Sequence, residues 1–121
     1  MIEPMPFEIT RTPLATGIVV LTPIGTMTMG SQLQRFESTV EELVKNHQNR
    51  IVADMSNVTY LDSSAIGALV GCQGVVKNSG GQFRLAGLTD RVAKIFRISG
   101  VEGVLLIDAN REAAVAKLAA A

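Results

Sequence analysis

A chain of 121 residues, 47% apolar and 18% charged, is the size of one domain and buries roughly two-thirds of its unfolded surface, so it needs no metal or disulfide staple. Lys+Arg and Asp+Glu number eleven each, which leaves no cationic excess to hold a phosphate backbone and disfavours direct nucleic-acid binding. The lone cysteine, Cys72, excludes an internal disulfide framework, and no apolar run approaches the roughly 20 residues that span a bilayer.

The opening MIEPMPFEIT lacks a basic stretch followed by an apolar core. The expectation is a soluble, cytoplasmic protein with one domain over 1–121 and a core from about 7 to 118. Phe7 to Pro13 alternates Phe7, Ile9 and Arg11 against Glu8, Thr10 and Thr12, which predicts a partly exposed strand near a sheet edge. Leu14 to Gly17 turns the chain into Ile18-Val19-Val20-Leu21, a run typical of a strand buried on both faces, expected to end at Pro23. These two segments should form an antiparallel hairpin. Gly25 to Gly30 reads as a loop, and Ser31 as the cap of a helix to about Asn46, with Leu33, Phe36, Val40, Leu43 and Val44 on its apolar face. His47, in the polar stretch HQNR, reads as a solvated or capping histidine, and with no second histidine a metal site would need carboxylates alone.

Ile51 to Met55 and Val58 to Leu61 are short strands, and the second delivers the chain to Asp62. The helix that follows carries Ile66, Leu69, Val70 and Val76 inward and ends at Asn78-Ser79-Gly80-Gly81. Gln82 to Ala86 is the next strand, which predicts a parallel strand–helix–strand crossover from Val58–Leu61. Thr89 should cap a helix with Val92, Ile95, Phe96 and Ile98 inward, closed by Ser99-Gly100. Val104 to Ile107 is the last short strand, and Asn110 opens a terminal helix with Ala114, Val115 and Leu118 inward.

The chemistry concentrates at YLDSSAIGAL, Tyr60 to Leu69. Asp and Ser cap helices because their oxygens accept bonds from first-turn amides, so Asp62 or Ser63 is the expected cap. The same amides and the positive helix end suit an anion, including a phosphoryl group on Ser63. A plain serine cap and a charge switch both fit this pattern. Within the helix, Gly67, Gly71 and Gly74 each cost about 1 kcal/mol relative to alanine. Either they allow close packing, or they leave a smooth surface beside Ser63 for a partner. Cys72, inside the same helix, reads as a small buried hydrophobe. Arg91, Lys94 and Arg97 share a side of the next helix, as a solvated face or as one that steers an acidic partner.

Three features resemble the STAS domain family, which includes bacterial anti-sigma factor antagonists. DSSAIGAL at Asp62 to Leu69 is similar to the family's Asp-Ser-Ser-Gly-Leu-Gly helix start. Val92, Ile95-Phe96 and Ser99-Gly100-Val101 resemble its Val, Leu-Phe, Ser-Gly-Leu run. The order of elements matches over most of the chain. Ala65 stands where the family often has glycine, and Thr28 about where many members carry aspartate.

The resemblance implies an α/β domain with a small mixed sheet of about five strands and four main helices. It also implies an anti-sigma factor antagonist, not an enzyme, that binds an anti-sigma factor when Ser63 is unphosphorylated and so releases a sigma factor. The implied partners are that anti-sigma factor, often itself a serine kinase, and a phosphatase, with no membrane and a monomer when free. Ser63 is the candidate phosphorylation site, and Asp62, Ser63, Ser64, Gly67, Gly71, Arg91 and Lys94 are the candidate partner contacts. No catalytic, cofactor or metal residues are expected. A hydrolase is disfavoured because YLDSSA lacks the Gly-x-Ser-x-Gly elbow. A nucleotide- or phosphate-binding module lacks a glycine-rich loop followed by lysine. A STAS scaffold that is never phosphorylated remains the main alternative.

Overall fold

A computed structural model describes residues 8–120, so Phe7 of the first predicted strand lies outside the described residues. Strand β1 (Glu8–Pro13) and strand β2 (Val19–Met27) form the expected antiparallel hairpin, with β1 at the sheet edge. The turn between them closes through the Leu14 N–H, which donates to the Ile18 carbonyl at 2.8 Å. Helix α1 (Ser31–Lys45) leads to strands β3 (Arg50–Asp54) and β4 (Val58–Leu61). Helix α2 (Ser63–Asn78), strand β5 (Gln82–Ala86), helix α3 (Asp90–Ser99), the two-residue strand β6 (Ile107–Asp108) and helix α4 (Arg111–Ala120) complete the described chain.

Among the described residues six strands form the sheet, in the order β1-β2-β3-β5-β6, with β4 pairing with the far end of β2. Every pairing but the hairpin is parallel. Alternate side chains of the central strands face opposite layers, as the period of two requires. Val19, Leu21, Ile51, Ala53, Phe83 and Leu85 pack with α1, α2 and α3 through Phe36, Val40, Leu69, Val76, Val92 and Phe96. Ile18, Val20, Val52 and Ala86 face α4 through Ala114 and Leu118. The reading of Ile18 to Leu21 as buried on both faces is therefore correct.

Several boundaries differ from the sequence expectation. Strand β2 does not end at Pro23 but runs to Met27, which turns Gly25 to Met27 from loop into strand. Counting alternation from the Leu14–Ile18 bond puts Pro23 at a position that donates nothing to β1. On its other side β2 leaves β3 after Leu21 and joins β4 at Gly25, so the missing N–H falls between two ladders. The cap of α1 is Gly30, with Ser31 already helical, because the chain enters at φ 145°, which suits glycine better than serine. The crossover from β4 through α2 to β5 is parallel, as expected, and it lands beside β3: β5 pairs with β3 over Arg50–Asp54, while β4 pairs with β2.

The strand expected at Val104 to Ile107 shrinks to Ile107–Asp108. Its beginning is bent into turns, with the Val104 and Leu105 N–H groups donating to the Val101 carbonyl. Ile98, expected inward, is 77% exposed, and Val70 is only half-buried. Thr89 caps α3 as expected, accepting the Val92 N–H at 3.3 Å, and α3 closes on Gly100 in the left-handed conformation. His47 is exposed just past the end of α1.

Candidate functional site at the start of helix α2

Strand β4 becomes α2 at Asp62, whose backbone is still extended (φ −103°, ψ −179°). Its Oδ1 accepts the Ala65 N–H at 2.9 Å, which is the expected N-cap bond. Its Oδ2 accepts the Met29 N–H at 3.0 Å, tying the loop after β2 to the helix start. These amides, that of Met29 foremost, together with those of Ser64 and Asp62 itself, outweigh slight burial and hold the carboxyl below its ordinary value. Asp62 is therefore an anionic cap throughout the neutral range.

Ser63 is the first residue of this 16-residue helix and is exposed, while Ser64 is half-buried. Ala65, Ile66 and Leu69 below them are buried and anchor the turn. The Ser63 hydroxyl thus stands in solvent at the positive end of the helix dipole. A step of four from it reaches Gly67, another reaches Gly71 and a step of three reaches Gly74, all on one helix face. A Cβ on any of the three would meet nothing within 4 Å, and Gly67 and Gly71 are exposed. Close packing therefore does not account for the stripe, which faces outward.

Cys72, one step round the helix, is buried. Burial, then Glu37 and Glu41, push its thiol up to about 12, so it carries no reactive thiolate at neutral pH.

Among the candidate contacts, Asp62, Ser63, Ser64 and Gly67 form one continuous surface. Arg91 is brought to it from α3: its guanidinium carbon lies 5.0 Å from the centroid of the Tyr60 ring, and Tyr60 precedes Ser63 by three residues on β4. Lys94 lies a turn farther along α3 and Gly71 two turns along α2, so both sit away from the serine. Tyr60 opens the stretch that ends in Asp62 and Ser63, whereas Met29 and Arg91 reach it from 33 residues before Asp62 and from α3, through a backbone bond and a ring contact that have no local signature. Two surface depressions of about 370 Å³ lie elsewhere, one lined by Leu88, Phe96 and Asp108, the other by Gln73, Phe83 and Leu106. No residue of the α2 start lines either.

The STAS domain model matches residues 10–114. The chain belongs to the STAS domain family. Among curated proteins, the anti-sigma-B factor antagonist of Bacillus subtilis (strain 168) is 34% identical over 61 residues, 50% of this chain and 56% of that protein. The match thus spans little more than half the length of that relative. Among solved structures, the anti-sigma factor antagonist SpoIIAA of Bacillus in its unphosphorylated form superposes with a TM-score of 0.79 at 17% identity, covering 94% of this chain and 98% of that one. Its phosphorylated form gives 0.70 at 17% identity, covering 91% and 98%. A murine Solute Carrier 26 family anion transporter gives 0.71 at 19% identity over 87% of this chain and 18% of its own. At these identities the superpositions speak for the STAS fold alone.

Proposed function

We propose that this STAS domain is an anti-sigma factor antagonist, a regulatory and non-catalytic protein working in the cytoplasm. In this reading the unphosphorylated protein binds an anti-sigma factor and frees a sigma factor. A kinase, often the anti-sigma factor itself, transfers the γ-phosphoryl group of ATP to the Ser63 hydroxyl, and a phosphatase removes it. The observation that carries the proposal is the exposed hydroxyl of Ser63 at the first position of α2, at the head of an outward-facing glycine stripe. The curated likeness to an anti-sigma-B factor antagonist supports it.

The switch is electrostatic. A phosphoryl group adds nearly two negative charges and three acceptor oxygens in the middle of the contact. The positive end of α2 favours that anion, so the domain stays folded and the change is felt by the partner. A penalty of about 3–4 kcal/mol at the interface weakens binding several hundred-fold.

The test is to incubate the protein with ATP and the candidate anti-sigma factor kinases of its genome, locate any phosphoserine by mass spectrometry, and measure affinities by calorimetry. Ser63→Ala is expected to bind constitutively. Ser63→Asp should bind more weakly than wild type but better than the phosphorylated protein, because aspartate carries one charge and lacks the phosphoryl oxygens. Equal affinity of phosphorylated and unphosphorylated protein would remove Ser63 as the switch and leave the scaffold reading.

A further inference from the structure

Helix α3 turns Val92 and Phe96 into the core. Arg91, Lys94 and Ile98, at steps of three and four, form a stripe on the opposite side, flanked by Arg97. All four are exposed, and Ile98 sits between the cations at 77% exposure. The helix thus presents three cations against the single carboxylate of Asp90, in a chain whose formal charge is zero. Among the described residues Arg11, Arg84, Arg111 and Lys117 are in ion pairs, whereas Arg91, Lys94 and Arg97 are in none.

The stripe is continuous with the start of α2. Arg91 rests on Tyr60, a cation–π contact that orders a long side chain which would otherwise be free in water. Tyr60 is itself 37% exposed, and Met29, whose amide is bound by Asp62, is 76% exposed. Two exposed apolar residues therefore adjoin the Asp62–Ser63 corner, and the basic stripe begins at Arg91 on one of them, Tyr60.

We infer that this α3 stripe, with Tyr60 and Met29, is a docking surface for an acidic protein segment that carries apolar anchors among its carboxylates. The inference rests on the reading of Ser63 as the switch and supplies its sign. A phosphoryl group on Ser63, three residues past the Tyr60 on which Arg91 rests, lowers the positive potential of the basic stripe and repels carboxylates seated there. Against a basic partner the same group would strengthen binding. Exclusion by phosphorylation therefore calls for an acidic contact, and α3 provides the complementary charge.

Amide chemical-shift mapping tests this directly, with two synthetic amphipathic helical peptides as probes: one alternating glutamates with leucines at helical spacing, the other with lysine for every glutamate. The acidic peptide is expected to move the resonances of 60–63 and 91–98. Its affinity should fall about tenfold or more in Arg91→Glu/Lys94→Glu, and also between about 50 mM and about 500 mM salt. Ile98→Ser should weaken it without altering the salt dependence. Equal binding of the lysine peptide, shifts confined to another face, or preference of the stripe for a DNA oligonucleotide over the acidic peptide would overturn the proposal.

The anti-sigma factor that binds Ser63→Ala supplies the second arm, with circular dichroism confirming the fold. If the double variant loses its fold, Lys94→Glu alone carries both arms. Full affinity of that anti-sigma factor for the charge-reversed protein would sink the docking surface and leave the proposed function standing. Acidic-peptide binding on α3, with no anti-sigma factor recognising Ser63→Ala, would do the reverse.

Discussion

The two carboxylate oxygens of Asp62 do different work: one caps α2 through the Ala65 amide and the other holds the Met29 amide in the loop that precedes α1. Asp62→Ala removes both acceptors and is expected to cost about 1–2 kcal/mol, the upper range for a cap. Asp62→Asn keeps one carbonyl acceptor and should fall between it and wild type. Ser63→Ala, one residue on, changes an exposed side chain and should alter stability by less than about 0.5 kcal/mol. Urea titrations of the three variants check the order. If Ser63→Ala proved the more damaging, Ser63 would be a structural residue and binding data from it could not be read as charge effects. The cap was legible in the sequence as Asp62 or Ser63 because it lies within four residues, and the structure assigns it to Asp62. The Met29 bond spans 33 residues and had no local signature.

At the scale of the element, α2 tolerates three glycines because nothing presses on them, and alanine there should help the helix. Gly71→Ala is expected to raise stability by up to about 1 kcal/mol, seen as a higher thermal midpoint. If partner binding falls while stability rises, the bare face belongs to the interface. Retained binding would leave the stripe without a role in recognition. Gly81, three residues past the end of the same helix, is the opposite case: a Cβ there would run into the Asn49 carbonyl, which accepts the Gln82 N–H at 2.9 Å. Gly81→Ala should therefore cost about 1–3 kcal/mol, as overfilled contacts do. Glycine spacing alone does not separate these cases. What lies across from each glycine does.

On the scale of the whole molecule, α4 is held to the sheet by ionic contacts as well as by Ala114 and Leu118. Asp108 receives Arg84 Nε at 2.6 Å and Lys117 Nζ at 2.8 Å, and Asp54 receives Arg111 Nε at 2.9 Å and the Ser56 hydroxyl at 2.7 Å. Burial works to raise both carboxyls, but these bonds outweigh it and hold each below its ordinary value. With Asp62 also lowered, the sign is the same at all three. Their contribution is complete above the unfolded carboxylate value of about 3.9 and is lost as pH falls through the lower folded values. Denaturant midpoints should therefore be flat from neutral pH to about 5 and drop below about 4. Asp108→Asn should flatten part of that drop and, by leaving Arg84 buried without its counter-charge, cost about 3–5 kcal/mol at neutral pH. An unchanged acid limb in this variant would show that Asp108 is not a source of the pH dependence.

The sequence by itself determined what depends on near neighbours and on period. The Thr89 cap, a cap at Asp62 or Ser63, the inward stripe of α1, the doubly buried Ile18 to Leu21 and the hairpin all follow from side-chain chemistry within a few residues. Tertiary structure decided what depends on partners far along the chain. Strand β2 continues through Pro23 because β3 departs there and β4 arrives. Strand β5 chooses β3 over the nearer β4, and Ile98 stays in water despite sitting in an apolar rhythm. Arg91 comes to the serine corner only because α3 packs across β4 and places the guanidinium on Tyr60. Periodicity assigns a residue to a face, but only the packed sheet determines what that face meets.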